Sequence, residues 1–406
     1  MTQTRQSPQE PPGSARDASR GGTARAASGG AGGSMRVRVI GSGPVALAFA
    51  AFLRRQGLPA RSIELTRNET PPAPALAARV LALSLGSWQL LSRIARLPAA
   101  APIGSVDVAV SGLPGRARID AREMNVPALG YVVRYTALLE ALSRGLEALD
   151  GAAARGTRVA TVPQGAAGPA AGSGPHELVV HAEGDTGQDA SELVFAQAAL
   201  LAEIEVDGAQ AGTRGGTAFE CFTADGPLAL LPLPEPRRYA LVWCDRPELS
   251  QRRAELGTEA LADELQQAFG WRLGRLRLTA GASVAPMVRR ARRELASGNE
   301  VWIGNAAQML HPVAGQGLNL GMRDAFVLAR CIGEAAARGL DGAQALRRYE
   351  RQRRTDRSGT IALTDTLARV FSLQPLRPLQ SLTLAALDLS PAARDRLARH
   401  FMFGLR

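Results

Sequence analysis

The sequence predicts an α/β fold. A Rossmann-like dinucleotide-binding domain is split along the chain, a mostly antiparallel β-sheet domain is inserted into it, and a helical segment closes the C-terminus. Three observations carry this. The turn Gly41-Ser42-Gly43-Pro44-Val45-Ala46 joins a short apolar strand to an apolar helix. The middle of the chain is a series of short β-rich runs separated by turn residues. After residue 290 the chain returns to strand, glycine loop and helix.

A chain of 406 residues with 46% apolar side chains is long enough for two to three domains and a sizeable core. Aromatic residues make up only 4%, which argues against a base-stacking platform for nucleic acid. There is no lysine, so all 48 basic residues are arginine. That excludes Schiff-base chemistry, a P-loop lysine and a lysine general base. The formal charge of +11 suits an anionic cofactor or an anionic membrane surface. The clusters Arg289, Arg290, Arg292, Arg293 and Arg351, Arg353, Arg354, Arg357 accompany no nucleic-acid motif, so they are expected on solvated faces, with no nucleic-acid partner. Cys221, Cys244 and Cys331 are dispersed, which predicts neither a disulfide framework nor a metal site and fits a reducing cytoplasm. No apolar run is long enough to span a bilayer, and the N-terminus lacks the apolar core of a signal peptide.

Taken in order, residues 1–34 have almost no large apolar side chains and are expected to be a disordered tail. Met35 directly precedes the first strand, so the tail is read either as a misplaced start or as a true appendage. Val37, Val39 and Ile40 form the first buried strand, Val45 to Leu53 a helix apolar all round, and "PARSIELTR" a second strand ending near Glu64. "VDVAVSG", "ARIDAR", "LLAEIEVDG", "TAFECFT", "PLALLPL" and "YALVWCD" are the strands of the inserted sheet, interrupted by a helix over 130–150. "PQGAAGPAAGSGP" over 163–175 is a low-complexity loop. The expected organisation is a dinucleotide-binding domain from 35–100, 125–190 and 291–365, a substrate domain from 101–124 and 191–290, and a helical segment over 366–406.

The first glycine motif has a mechanism. Gly41 makes the tight turn, Gly43 lets the backbone approach a pyrophosphate, Ala46 permits close helix packing, and the helix N-terminus holds the anion. Glu64 lies 23 residues beyond Gly41, the spacing at which a carboxylate accepts from a ribose hydroxyl.

The second motif, "VWIGNAAQMLHPVAGQGLNLGMRDA", resembles the signature of flavin-dependent aromatic hydroxylases, above all the branch that hydroxylates polyprenyl phenols and quinols in ubiquinone biosynthesis. The resemblance spans about 35–406. It includes "ARVLALSLGSWQLL", "GPLALLPL", "ALVWCD", "AFGWRLG" and "QRRTDRSGTIALTDTL". It implies an aromatic-hydroxylase-type fold, FAD as cofactor, NAD(P)H as co-substrate, and O2. The implied substrate is a polyprenyl phenol of the 2-polyprenyl-6-methoxyphenol kind, and the implied oxidant is a flavin C4a-hydroperoxide. It places Gly304 and Asn305 at the ribityl and phosphate part of FAD, and Gly317, Leu318 and Asn319 with the loop against the isoalloxazine ring. Pro312, Gly315 and Gln316 take the catalytic positions there. The helix that follows favours the negative charge of reduced flavin. Arg79, and more loosely Arg134, fall where the family has an arginine near the cofactor. His311 reads as a turn residue rather than a base.

One departure stands out. Where the family carries Asp-Gly, implicated in FAD and NAD(P)H contact, this sequence has Glu183-Gly184 in "VVHAEG". Two alternatives follow: the same chemistry at another ring position, and a non-catalytic flavoprotein or quinone-intermediate carrier. No base for the phenol is evident. "LRPLQSLTLAALDLSPAARDRLARHFMFGLR" is basic and amphipathic, so it is expected to meet anionic lipid or the partners of a biosynthetic complex, or else to pack on the FAD domain. The expected location is cytoplasmic, peripheral to the inner membrane.

Overall fold

The structure is a computed structural model that describes residues 35–68, 79–150, 157–162, 177–184, 190–207, 216–311, 315–370 and 373–405. The tail 1–34, the loop 163–175 and Pro312 lie outside the described residues.

The chain opens with β1 (Arg36–Ile40), α1 (Pro44–Arg55) and β2 (Ile63–Asn68), a parallel βαβ unit. Val37 and Val39 point into the core, while Arg36 is exposed and Arg38 and Ile40 are half-buried. Next come β3 (Val80–Ser84), α2 (Leu85–Leu91), β4 (Ala101–Ile103), β5 (Ser105–Val110), β6 (Arg116–Asp120) and β7 (Gly130–Arg134). The chain continues through α3 (Tyr135–Asp150), β8 (Arg158–Val162), β9 (Glu177–His181), β10 (Ala190–Val206), β11 (Thr217–Phe222), β12 (Pro227–Pro232) and β13 (Arg238–Asp245). Helices α4 (Pro247–Glu255) and α5 (Thr258–Phe269) precede β14 (Leu276–Leu278), β15 (Ser283–Arg292), β16 (Ala296–Ser297), β17 (Glu300–Trp302) and β18 (Gln308–Met309). Four helices finish it: α6 (Gln316–Ala337), α7 (Gly342–Val370), α8 (Arg377–Asp388) and α9 (Pro391–Phe403).

These strands make three sheets. The first has the order β16-β17-β9-β1-β2-β8, with β17, β9, β1, β2 and β8 parallel. One face is buried under α1, α3 and α6, where Val37, Val39, Leu178, Val180 and Val301 meet Phe49, Leu142 and Leu328. The second sheet has nine strands and is mostly antiparallel, with α5 on one face through Leu261, Leu265 and Phe269. The third is β3-β7-β4, a small antiparallel sheet beside the other face of the large one.

Two expectations are corrected. The helix over 130–150 is a strand and then a helix: Gly130–Arg134 pairs with both β3 and β4 before α3 begins at Tyr135. The β-branched and aromatic run "GYVVR" favours extended backbone, and two waiting partner strands satisfy its ladder. The second strand does not end near Glu64. A 3-10 turn at Ala60–Ser62 delays its entry, so it runs from Ile63 to Asn68. The small sheet also takes β4, at the start of the segment expected in the substrate domain, and Gln308–Met309 joins the large sheet.

Candidate active site

In parallel sheets ligands sit beyond the carboxyl ends of the strands. Here Trp302, His181, Ile40 and Thr66 form one cross-strand row at that edge. Gly41 follows directly. Its φ is +138°, its N–H donates to the Thr66 carbonyl at 3.2 Å, and a Cβ there would lie 2.5 Å from the carbonyl oxygen of Ala182. Only glycine fits. Gly43 caps α1, and a Cβ at this position would meet nothing within 4 Å. The space above it is open at a helix N-terminus that has no acidic residue in its first turn. That is a cradle for an anion.

The second motif arrives at the same place. Gly304 opens a 3-10 turn with φ +61°, and a Cβ on it would lie 3.1 Å from the side chain of Val45 on the first turn of α1. Gly321 on α6 approaches the Gly304 Cα so closely that a Cβ would sit 3.0 Å away. The two glycine motifs, far apart in sequence, are therefore packed onto one another through Val45. Ala46 is fully buried beneath this contact, and Asn305 is exposed beside it.

Helix α6 starts from Gly315, whose φ of +58° reverses the chain, so the N–H groups of Gly315, Gln316, Gly317 and Leu318 have no partner within the helix. A Cβ on Gly317 would meet nothing within 4 Å, again open space at a helix N-terminus. Asn319 is turned the other way. It is buried, donates to the Gly315 carbonyl at 2.8 Å and the Ala82 carbonyl at 3.0 Å, and accepts from the Ser84 N–H at 2.8 Å. Its amide is spent on locking the helix start to β3, so it positions the loop. Gln316 is buried, with its amide 3.5 Å from the Phe401 carbonyl. Leu318 packs on the core of the first sheet.

Other expected residues stand apart. Glu64 is in register with Arg38, two residues short of the strand edge, and its carboxylate lies 3.7 Å from that guanidinium. Two strand residues are about 6.6 Å, so Thr66 occupies the level at which a ribose carboxylate is expected. Arg79 is exposed, and its carbonyl accepts from the Tyr135 N–H. Arg134 bridges sheets, bonding Glu203 at 2.7 Å and Glu235 at 3.0 Å. Glu183 accepts from His181 at 2.9 Å, and that ring stacks on Trp302 with centroids 5.1 Å apart. His311 is buried against Phe195 and Gln197, and burial drives its pKa down to about 4. At neutral pH it is uncharged.

Behind the site lies a buried ion network that the sequence did not announce. Arg353 pairs with Asp324 at 2.7 Å and Asp356 at 2.6 Å, and Arg323 pairs with Asp356 at 2.8 Å. Gln308 donates to Asp324, Arg357 donates to Gln308, and the Leu405 N–H donates to Asp356. The signal was the alternation of Arg and Asp in "QRRTDRSG" and "GMRDA". The pairings of Arg353 with Asp324 and of Arg323 with Asp356 need contact between α6 and α7, which no local pattern reveals.

Residues 34–362 match the model of the FAD binding domain family. The chain is 30% identical over 405 residues to the ubiquinone hydroxylase UbiL of Rhodospirillum rubrum, covering 91% of this chain and 90% of that one. It is 29% identical over 401 residues to the 3-demethoxyubiquinol 3-hydroxylase of Escherichia coli, covering 91% and 98%. Among solved structures, p-nitrophenol 4-monooxygenase PnpA from Pseudomonas putida shares the fold with a TM-score of 0.67 at 15% identity, over 92% of this chain and 99% of that one. With its two glycine motifs joined around one open cradle, the chain belongs to the FAD binding domain family, in the ubiquinone-biosynthesis branch of the flavin-dependent aromatic monooxygenases.

Proposed function

We propose that this protein hydroxylates the ring of a polyprenyl phenol in ubiquinone biosynthesis, with NAD(P)H as reductant and O2 as the oxygen source. The observation that carries the reading is the joined cradle: open space before Gly43 and Gly317, at two helix N-termini held together by Gly304, Val45 and Gly321. FAD fits it. The N-terminus of α1 would take the pyrophosphate, Asn305 the chain between phosphate and ring, and the N–H groups of Gly315 to Leu318 the ring's carbonyl edge. Thr66, rather than Glu64, would meet the ribose, since it is in register with Ile40. When bound, the flavin supplies hydride acceptance and oxygen activation.

The chain's own residues orient and enclose. Asn319 fixes the α6 start against β3, so the N–H groups keep their direction when the ring becomes negative. Arg134 ties the small sheet to β10, closing one side of the space between them. The large sheet turns the apolar residues Ala218, Leu231 and Ala240 towards that space. A dry wall of this kind excludes water from the reacting ring. Glu183 is held by His181, so NAD(P)H contact through it would require this bond to be exchanged.

Two assays test the reading. Purified FAD-loaded protein should oxidise NAD(P)H faster when a short-chain prenyl methoxyphenol is added, and should form the hydroxylated ring. A strain lacking the gene should accumulate the unhydroxylated polyprenyl phenol, and its ring pattern assigns the position. The name of the Escherichia coli relative makes a demethoxyubiquinol the first substrate to compare with the methoxyphenol. NAD(P)H oxidation indifferent to every phenol would favour the carrier.

A further inference from the structure

The inner face of the nine-stranded sheet carries one carboxyl group with nothing to pair it. Strand register places Val108, Glu220, Ala229, Val242 and Leu201 in a single row across β5, β11, β12, β13 and β10. Every member but Glu220 is apolar. The rows flanking it are apolar at its neighbours, with Val106, Ala218 and Leu231 on one side and Val110, Phe222 and Cys244 on the other, and Glu203 enters the first only at its β10 end.

Three apolar clusters close over this face. Ala218 and Ala240 pack with Val132 of the small sheet and Met402 of α9. Val110 and Phe222 pack with Ala368 of α7 and Leu384 of α8. Ala199 and Cys244 pack with Met287 of β15. Glu220 lies between the three and belongs to none. It keeps some accessible surface, yet protein surrounds it deeply enough that desolvation dominates its surroundings. The side chains beside it on both neighbouring strands, Val108 and Ala229, are apolar and offer it no partner. Among the described residues no hydrogen-bond donor or cation reaches its carboxylate. The charged groups around this face are engaged elsewhere: Glu203 with Arg134 at 2.7 Å, and Arg289 with Asp365 at 3.5 Å. His311 is neutral, and Cys244 is a buried thiol that desolvation keeps protonated.

A carboxylate set among apolar side chains without a partner costs stability, and nothing in the fold offsets the cost. Such a group is expected where a ligand supplies the missing donor. We propose that Glu220 receives the hydroxyl of the substrate phenol, accepting its hydrogen bond and then its proton. The inference rests on the phenol-hydroxylase reading above. In this step the phenol O–H bond breaks and a carboxyl O–H bond forms. The electron pair left on the phenol oxygen enriches the ring carbons that take up oxygen from the flavin and O2 system. The ring then sheds its own proton, which leaves with the second oxygen atom of O2 as water, and as the ring regains aromaticity Glu220 returns its proton to the phenol oxygen. Burial raises its pKa to about 7, where proton exchange near neutral pH is most effective.

The test uses FAD-loaded protein, a short-chain prenyl methoxyphenol and its O-methyl ether, with binding followed through the flavin spectrum. The native protein should bind the phenol about tenfold more tightly than the ether, since the ether has no proton to donate. Glu220→Leu should bind both alike, at the affinity of the ether. Glu220→Gln keeps an acceptor but no base, so it should keep the preference while kcat falls about a hundredfold at unchanged KM. A Glu220→Leu protein that still prefers the phenol tenfold, or a Glu220→Gln protein with native kcat, overturns the proposal. Native protein that binds phenol and ether equally, yet hydroxylates the phenol, overturns it while leaving the phenol-hydroxylase reading standing. Native protein that binds neither removes both.

Discussion

At the scale of single residues, the site is defined as much by missing side chains as by present ones. Gly43 has backbone angles open to any residue and empty space before it, so a larger side chain there should fold without strain. Gly43→Glu should then yield soluble protein with a carboxylate in the pyrophosphate path. A like charge at about 4 Å costs roughly 4 kcal/mol, near a thousandfold in affinity. Equilibrium dialysis of FAD against native and variant protein measures it, and stoichiometric retention would move the cofactor elsewhere. Glu220 offers the opposite case, a side chain present where the fold gains nothing from it. Its pKa is raised to about 7 in the folded protein against about 4.3 when unfolded. The native state therefore holds the extra proton between these values, and stability falls as pH rises through that window, then levels off above it. Glu220→Gln should match the native protein in thermal midpoint near pH 4 and exceed it near pH 8. Parallel curves would mean that Glu220 has a partner when folded.

At the scale of elements, the helices α6 and α7 are held by charge. Asp324 is fully buried between Arg353 and Gln308, and Asp356 is shared by Arg323 and Arg353. Removing one member leaves a buried charge unpaired, so Asp324→Ala should lose about 3–5 kcal/mol of stability, read by urea denaturation of FAD-loaded protein. Burial alone would raise the Asp356 carboxyl, but Arg323 and Arg353 outweigh it and hold the group below its usual range. That contribution is complete above about pH 3.9 and is lost only as pH falls further. The elements also show what a sequence can disclose. The β1-loop-α1 unit is legible because its strand, glycines and apolar helix are adjacent in the chain. The strands of the large sheet are legible because each has its own β-rich composition. The level of Glu64 is not legible, because a 3-10 turn leaves no periodic trace and the correct level appears only from the pairing of β1 with β2. The strand Gly130–Arg134 merges with the helix behind it because its partners are 50 residues before it or beyond a loop. Glu220 is hidden for the same kind of reason. Nothing in "TAFECFT" tells which face of the sheet is dry.

At the scale of the whole molecule, one surface contradicts the usual arrangement of a water-soluble protein. Helix α8 buries Gln380 and Ser381 beside Leu384 and turns Leu379 and Leu382 outward. Gln380 donates to the Val370 carbonyl at 2.7 Å, and Ser381 accepts from the Gly115 N–H at 2.8 Å. Leu379, Leu382 and Leu389 are 57%, 66% and 85% exposed, and with exposed Ala386 they form one stripe at helical spacing. Leu373 and Leu405 are exposed as well, and α9 carries Arg394, Arg396 and Arg399 next in sequence. Four apolar side chains exposed in one stripe make sense if what they face is not water. No helix among the described residues is long and apolar enough to cross a membrane. The testable expectation is that this face binds an anionic bilayer. Sedimentation with vesicles of neutral lipid, and of neutral lipid containing phosphatidylglycerol, should show binding that strengthens with the anionic fraction and weakens with salt. The double variant Leu382→Asp, Leu389→Asp removes two exposed side chains, each worth about 1.5–3 kcal/mol when buried in lipid. Vesicle affinity should fall by at least about tenfold. FAD content and thermal midpoint should stay native, because neither leucine has a partner in the fold to lose. Undiminished vesicle binding by that variant would exclude the stripe. Native protein that ignores vesicles but self-associates, with the variant monomeric, would assign the same leucines to a second copy of the chain.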